Sequence, residues 1–410
     1  MAYQHQTRKK IIGMVLAGGK GERLSPLTLR RPKPAVPFAG KYKIIDFVLS
    51  NFFHSGIRNV YVLTQYRSYT LNKHIRESWN RWAGKDEFFD DISPETNSER
   101  EAWFKGTADA ICHYLRFLEE SDADFVAIFG GDHIYKMDIR QMIDFHDCQQ
   151  ADITIAALEV PQLEASRFGV FSVDTSDRIT CFAEKPKQPQ TIPGRETCYA
   201  SMGNYIFSRV KLIEVLKAGL DRYEDLDFGK HVIPMMLEQG DRVFAYNFTQ
   251  NEVPQMQEAE RGYWKDVGTL DSYFETNMDL IGVSPQLNLY NYQWPILTKP
   301  SIYPPAKTVF DDEGRRGQTL DSYVCGGCVV SGSTVRRSIL GPCCRINSYS
   351  LLEDCILFEG VTVGRKVKIR RAIIDEGVVI PDGVEIGYDH DADRARGYLV
   401  TESGIVVVSA

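Results

Sequence analysis

Two rhythms of apolar and polar positions divide this chain. Through the first two-thirds, short apolar runs alternate with amphipathic stretches. Ile11–Ala17 (IIGMVLA), Ile57–Thr64 and Phe125–Phe129 read as buried strands, and 68–82 and 108–120 carry the helical period. Strands alternating with helices predict an α/β domain with a mainly parallel sheet, whose ligands bind at the carboxyl ends of the strands. Between 283 and 318 the periodicity fails, and Pro285, Pro295, Pro300, Pro304 and Pro305 mark a linker. Beyond it Val361, Val367, Ile373 and Val379 recur every six residues, with Ile374, Ile380 and Ile386 as a second register. That repeat predicts a parallel β-helix, each rung burying its faces against the next. The expected division is therefore a domain over 1–282, a linker over 283–318 and a β-helix over 319–410.

Composition narrows the function classes. A net charge of −7 over 410 residues argues against a nucleic-acid binder, which would present a broad basic surface. The N-terminal MAYQHQTRKK has no apolar core and no run approaches a membrane span, so a cytoplasmic protein is expected. Nine cysteines without compact disulfide spacing agree with a reducing compartment. Cys325-x-x-Cys328 and Cys343-Cys344 read as small buried thiols. A structural zinc site would add a second such pair or a histidine, and His390 alone lies beyond residue 231.

Against this mild acidity, the segment from Lys20 to Lys43 holds seven Lys or Arg and one acid, Glu22. It follows a strand directly and opens with Gly18-Gly19-Lys20-Gly21. Glycine lets backbone N–H groups approach an anion closely, and a triphosphate or sugar phosphate would answer the local charge. The spacing matches neither a dinucleotide fingerprint nor a P-loop. Asp132 ends a strand in Gly130-Gly131-Asp132, and Asp266 stands in Trp264-Lys265-Asp266-Val267-Gly268. Together these carboxylates could hold Mg²⁺, and separately each could cap a turn. His133 reads as a packed histidine. Glu184-Lys185 offers an acceptor for sugar hydroxyls and a point charge for a phosphate. Ser201-Met202-Gly203 is read as the opening of a further strand. Asp227-Phe228-Gly229 matches a kinase tripeptide but lacks the kinase catalytic loop, and is read as a decoy. Arg365, Lys366, Lys368, Arg370 and Arg371 place five cations on one β-helix segment.

These residues recur in order in one family. LAGGKGERL (16–24), RRPKPAVPF (30–38), IIDFVLSN (44–51), GTADA (106–110), GDHIYKMD (131–138), EKP (184–186), SMGNYIF (201–207), DFGKHVIP (227–234), WKDVGT (264–269) and VIPDGVEIG (379–387) resemble the bacterial glucose-1-phosphate adenylyltransferases. The resemblance implies a Rossmann-like nucleotidyltransferase domain followed by a left-handed parallel β-helix. It implies a homotetramer that makes ADP-glucose and pyrophosphate from ATP and glucose 1-phosphate with Mg²⁺, under control by anionic metabolites. By resemblance Gly18, Gly19, Gly21, Arg23 and Lys33 grip the ATP phosphates, and Gln65 lies near the adenine. Trp103 couples effector and substrate sites, and Phe104 stands near the sugar where the family often has tyrosine. Asp132 and Asp266 correspond to the metal carboxylates, and Gly169, Glu184, Lys185 and Ser201 to the glucose 1-phosphate site. Arg30, Arg31, Lys41, Lys43, Arg370 and Arg371 are the expected effector-binding cations. Pro37 and Glu376 replace a histidine and an arginine that contact AMP in enteric members. The competing readings are a nucleotidyltransferase for another nucleotide or sugar, a hexapeptide-repeat acyltransferase, and a catalytically silent regulatory subunit. Acyl transfer would use a β-helix histidine, and His390 follows the last clear rung, while a silent subunit would have lost Asp132, Lys185 or Arg23.

Overall fold

In the computed structural model, which describes residues 9–94 and 103–409, the apolar run Ile11–Ala17 forms the central strand β1. The nine-stranded sheet around it also contains β2 (Asn59–Thr64), β3 (Phe88–Ile92), β4 (Phe125–Gly130), β5 (Ile153–Pro161), β6 (Gly169–Val173), β7 (Ile179–Glu184), β8 (Thr197–Ser208) and β9 (Val243–Asn247). The main path runs β7-β6-β8-β4-β1-β2-β3, with β5 paired to both β8 and β9. β4, β1, β2 and β3 are mutually parallel, as are β5 and β9, while β8 runs antiparallel to its three neighbours. Ser201 lies midway along β8, where the register with β5 shifts, and does not open the strand.

Both faces of β1 are covered, which explains its unbroken apolar run. Met14 packs on one side with Ile111, Leu118, Ile128, Leu212 and Phe228. Val15 packs on the other with Val48, Phe52, Trp79, Phe129 and Ile143. The expected helix over 108–120 is two helices, Thr107–Cys112 and Leu115–Glu120, separated where Tyr114 is buried. The proline-rich stretch is a strap and not a loose connection. Leu287, Trp294 and Ile296 are buried. His54 and Ser50 on helix Ile44–His54 hydrogen-bond the Pro295 carbonyl at 2.7 Å and the Leu297 N–H at 2.8 Å.

The stacked coil begins within the stretch expected as linker, since Lys307–Val309 already pairs in parallel with Val329–Ser331. Two inward ladders fill it: Val330, Ile346, Val363 and Ile380 on one wall, and Val335, Leu352, Ile369 and Ile386 on another. These parallel strands give the arrangement of a left-handed β-helix. Val361, Val367 and Ile373 are fully buried, but Val379 is 68% exposed, so the first six-residue register ends there. Leu24, Phe38, Phe47 and Tyr273 share a third cluster with Ile339, Ile356, Phe358 and Val407, so apolar packing joins the coil to the loop beyond β1. All nine cysteines are free thiols. Among the described residues no helix is long and apolar enough to cross a membrane.

Candidate active site

The glycine loop leaves β1 at its carboxyl end and turns through Gly21 at φ 64°, into a short helical turn over Glu22–Leu24. A side chain at Gly21 would place its Cβ 2.9 Å from Lys33 Cβ, so glycine here serves both the left-handed turn and the close approach of Lys33. A Cβ at Gly18 would stand 3.3 Å from Gln65 Cβ and 3.4 Å from the Phe104 ring. Gln65 and Phe104 are themselves joined, the Phe104 N–H donating to Gln65 Oε1 at 2.6 Å. Arg23 reaches the turn after Asp266, for a Cβ at Gly268 would lie 3.1 Å from both the Arg23 guanidinium and the Asp266 carboxylate.

Asp132 and Asp266 are brought together by a two-stranded antiparallel ribbon, His133–Ile134 against Lys265–Asp266, with Asp266 opposite His133. Between the carboxylates lies the Lys33 ammonium, which donates to Asp132 Oδ2 at 2.9 Å and to Asp266 Oδ1 at 2.7 Å. Burial works against ionisation of Asp132, but the Lys33 ammonium, by its charge and its hydrogen bond, outweighs it and holds the carboxyl at about 2. Burial likewise opposes the charge on Lys33, and the two aspartates overcome it, so its pKa is raised. Burial lowers the pKa of His133, which leaves the imidazole neutral at pH 7. Its ring packs against Trp264 with centroids 4.8 Å apart, and its Nδ1 has no hydrogen-bond partner among the described residues. Asp132, His133 and Asp266 each offer a ligand atom, all within 4.8 Å of one another.

A cavity of about 890 Å³ opens beside this cluster, lined by Gly18 to Arg23, Lys33, Gln65, Phe104, Asp132, His133, Gly268 and Lys185. Lys185 follows β7 with a left-handed backbone at φ 45°, and its ammonium lies 3.1 Å from Glu184 Oε1. Such strain in a non-glycine residue persists only where surroundings enforce it, and here the Lys185 N–H is held by the Phe168 carbonyl at 3.0 Å. Gly169 pairs with Glu184 across β6 and β7; a Cβ there would meet the Phe182 ring at 2.5 Å and Glu184 Oε2 at 3.0 Å. Ser201 Oγ accepts from the Gly203 N–H at 3.2 Å. Gly169, Glu184 and Ser201 lie beside the cavity and not on its lining, and Trp103 is 57% exposed outside it.

Asp227, set aside in the sequence as a decoy, lines the same cavity. It accepts from Thr107 Oγ1 at 2.8 Å through Oδ2, and through Oδ1 from the N–H groups of Gly229 and Lys230. Its signal was an aspartate placed to cap the turn that follows. Lys105, Thr107 and Tyr205 also line the cavity without having been singled out.

The expected effector cations do not form one open wall. Arg31 is buried and pairs with Asp375 at 2.9 Å and Glu376 at 3.5 Å across the junction with the β-helix. Half-buried Lys43 is close by, its pKa lowered by burial and by Arg31. Arg371 reaches the Ser403 carbonyl at 3.2 Å and lies over the Phe274 ring, whereas Arg370 binds the Gly387 carbonyl at 2.7 Å and stacks on Tyr388. Arg30 and Lys41 are exposed.

A nucleotidyl transferase family model matches residues 12–282, and a GlmU-like C-terminal hexapeptide model matches 304–408. Glucose-1-phosphate adenylyltransferase of Trichlorobacter lovleyi is 73% identical, over 98% of this chain and 97% of its own. The Geobacter metallireducens enzyme of that name is 73% identical over 97% of both chains. That of Thermus thermophilus is 51% identical over 97% of this chain and 98% of its own. With its carboxylate pair and glycine loop on one cavity, and its likeness running through both domains, the chain belongs to the glucose-1-phosphate adenylyltransferase family.

Proposed function

We propose that this enzyme transfers the adenylyl group of ATP to α-D-glucose 1-phosphate, releasing pyrophosphate and ADP-glucose, in the committed step of bacterial glycogen synthesis. The observation that carries the reading is a single cavity lined by two separate cationic elements, the Gly18–Arg23 loop with Lys33 and the strained Lys185, together with Asp132. Two anionic substrates need two cationic holds, and their mutual repulsion must be neutralised before they can react.

The donor set fits Mg²⁺, which takes one or two protein carboxylates and completes its shell with phosphate and water oxygens. Bound by Asp132 and Asp266, the ion would supply Lewis-acid polarisation and charge neutralisation at the phosphates. The remaining work falls to the chain. The backbone N–H groups of Gly18, Gly19 and Gly21 cradle the ATP phosphates, Gln65 lies at the base, and Phe104 stands near the sugar. Lys185 holds the phosphate of glucose 1-phosphate, while Glu184 and Ser201, with Gly169 leaving them room, take the sugar. A phosphate oxygen of glucose 1-phosphate attacks the α-phosphorus in line, and the bond to the β-phosphate breaks. Arg23 and Lys33 receive the charge that develops on the departing pyrophosphate. The nucleophile is already ionised, so no general base is needed, which suits a neutral His133.

The same reading makes the enzyme a cytoplasmic homotetramer whose activity responds to anionic metabolites, with Trp103 in the coupling. Arg30, Lys41 and Lys43 with Arg370 and Arg371 are the cations we assign to that response. Arg31 already has Asp375 and Glu376 as its anions.

The test is pyrophosphate release with glucose 1-phosphate and each of ATP, UTP, dTTP and GTP, then with ATP and other sugar 1-phosphates. A strong preference for ATP and glucose 1-phosphate is expected. Preference for UTP or dTTP would assign the chain to a different sugar-1-phosphate nucleotidyltransferase.

A further inference from the structure

Behind the two carboxylates lies a buried ion pair that lines no part of the cavity. Lys136 Nζ donates to Glu260 Oε1 at 2.9 Å, and each side chain is only 3% exposed. Lys136 ends the segment that carries Asp132 and the ribbon strand His133–Ile134, and Glu260 precedes the other ribbon strand, Lys265–Asp266. Both Glu260 oxygens are engaged: Oε1 also accepts from the Asn288 N–H at 3.1 Å and Oε2 from the Gln257 N–H at 3.1 Å. The Lys136 ammonium donates in addition to the Asn288 carbonyl. The pair therefore ties both arms of the ribbon to each other and to the proline-rich strap.

A buried ion pair adds little net stability, because desolvation offsets most of its attraction and apolar replacements are often neutral. What it does specify is relative position, since each charge excludes arrangements that leave it unpaired. The ribbon needs such help, being only two residues long on each strand. We infer that Lys136 and Glu260 are positioning residues for the metal site, their ion pair setting the separation of the Asp132 and Asp266 carboxylates. The inference rests on the reading of those carboxylates as the Mg²⁺ ligands.

The experiment is calorimetric titration of Mn²⁺ into the full-length protein with ADP-glucose bound, alongside thermal unfolding. The double variant Lys136→Met/Glu260→Met should fold, melting below the native protein because the Asn288 and Gln257 N–H groups lose their acceptor, and should bind Mn²⁺ about 10–100-fold more weakly. Lys136→Arg keeps the charge and should retain more of the affinity than the double variant. Asp132→Asn should lose Mn²⁺ binding. Native affinity in a folded double variant, with Asp132→Asn defective, would overturn the positioning role. Native affinity in Asp132→Asn would instead overturn the metal reading beneath it. If the double variant does not fold, Glu260→Gln is titrated in its place, with weakened binding expected and native-like affinity overturning the inference.

Discussion

Replacing Lys33 with methionine keeps the length of the side chain and removes the ammonium that lies 2.9 Å from Asp132 and 2.7 Å from Asp266. At such separations an effective dielectric near 20 gives each pair roughly 6 kcal/mol of gross attraction. The Asp132 side chain is 35% exposed, so solvent screens its share, and the buried ammonium carries its own desolvation cost. The net coupling left is on the order of 1–2 kcal/mol. Any divalent cation entering between the carboxylates must displace that ammonium or drive it onto a phosphate. The free Lys33→Met protein should therefore bind Mn²⁺ more tightly than the native protein, by about 5–30-fold. Turnover should move the other way, because a contact to the developing pyrophosphate charge is lost, and kcat should fall about 10²–10³-fold. Because Asp132 is held at about 2 and the Lys33 pKa is raised, both charges persist across the neutral range, and the effect on Mn²⁺ binding should not depend on pH there. Calorimetric titration of Mn²⁺ without nucleotide, with initial rates at saturating substrates, reads both arms. Weaker or unchanged Mn²⁺ binding in a folded variant would refute the idea that Lys33 competes for the carboxylates.

Lys185→Ala should raise KM for glucose 1-phosphate far more than it lowers kcat and leave KM for ATP nearly unchanged; collapse of ATP affinity would show the two anion sites reversed. With Arg31 already neutralised by Asp375 and Glu376, and with Pro37 unable to donate from its side chain, AMP inhibition should be weak. Fructose 6-phosphate, fructose 1,6-bisphosphate or pyruvate should activate at sub-saturating ATP, through a coupling of about 1–3 kcal/mol; strong AMP inhibition with no activator response is the contrary result. His146 is fully buried between Thr154 and Ser208, and burial pushes its imidazole down to about 4. The unfolded chain takes up that proton near pH 6.5 and the folded one only near 4, so stability falls as pH drops through this window, by about 2–3 kcal/mol at pH 4.5. Urea unfolding of His146→Gln between pH 7 and 4.5 should show a correspondingly smaller acid loss than the native protein, and an equal loss would remove His146 as its source.

The amino-acid sequence by itself determined what is local and periodic. A strand buried on both faces needs a continuous apolar run, as in Ile11–Ala17, and stacked rungs need apolar residues at a fixed spacing, as from Val361 to Ile373. The glycine loop was legible because a left-handed turn such as Gly21 and a close anion approach leave few residue choices. Tertiary structure alone decided the partnerships, since these join residues far apart in the chain. Lys33 meets Asp266 across a separation of 233 residues, and Arg31 meets Asp375 across 344. No period or local propensity records such a pairing. For that reason Arg31 read as an effector cation with nothing to show that Asp375 and Glu376 are its partners. Asp227 read as a decoy because its place on the cavity depends on Thr107, and Lys136 drew no notice because its partner is Glu260. Val379 kept the six-residue register but faces solvent, because apolar spacing proposes a rung and only the neighbouring coil can bury it.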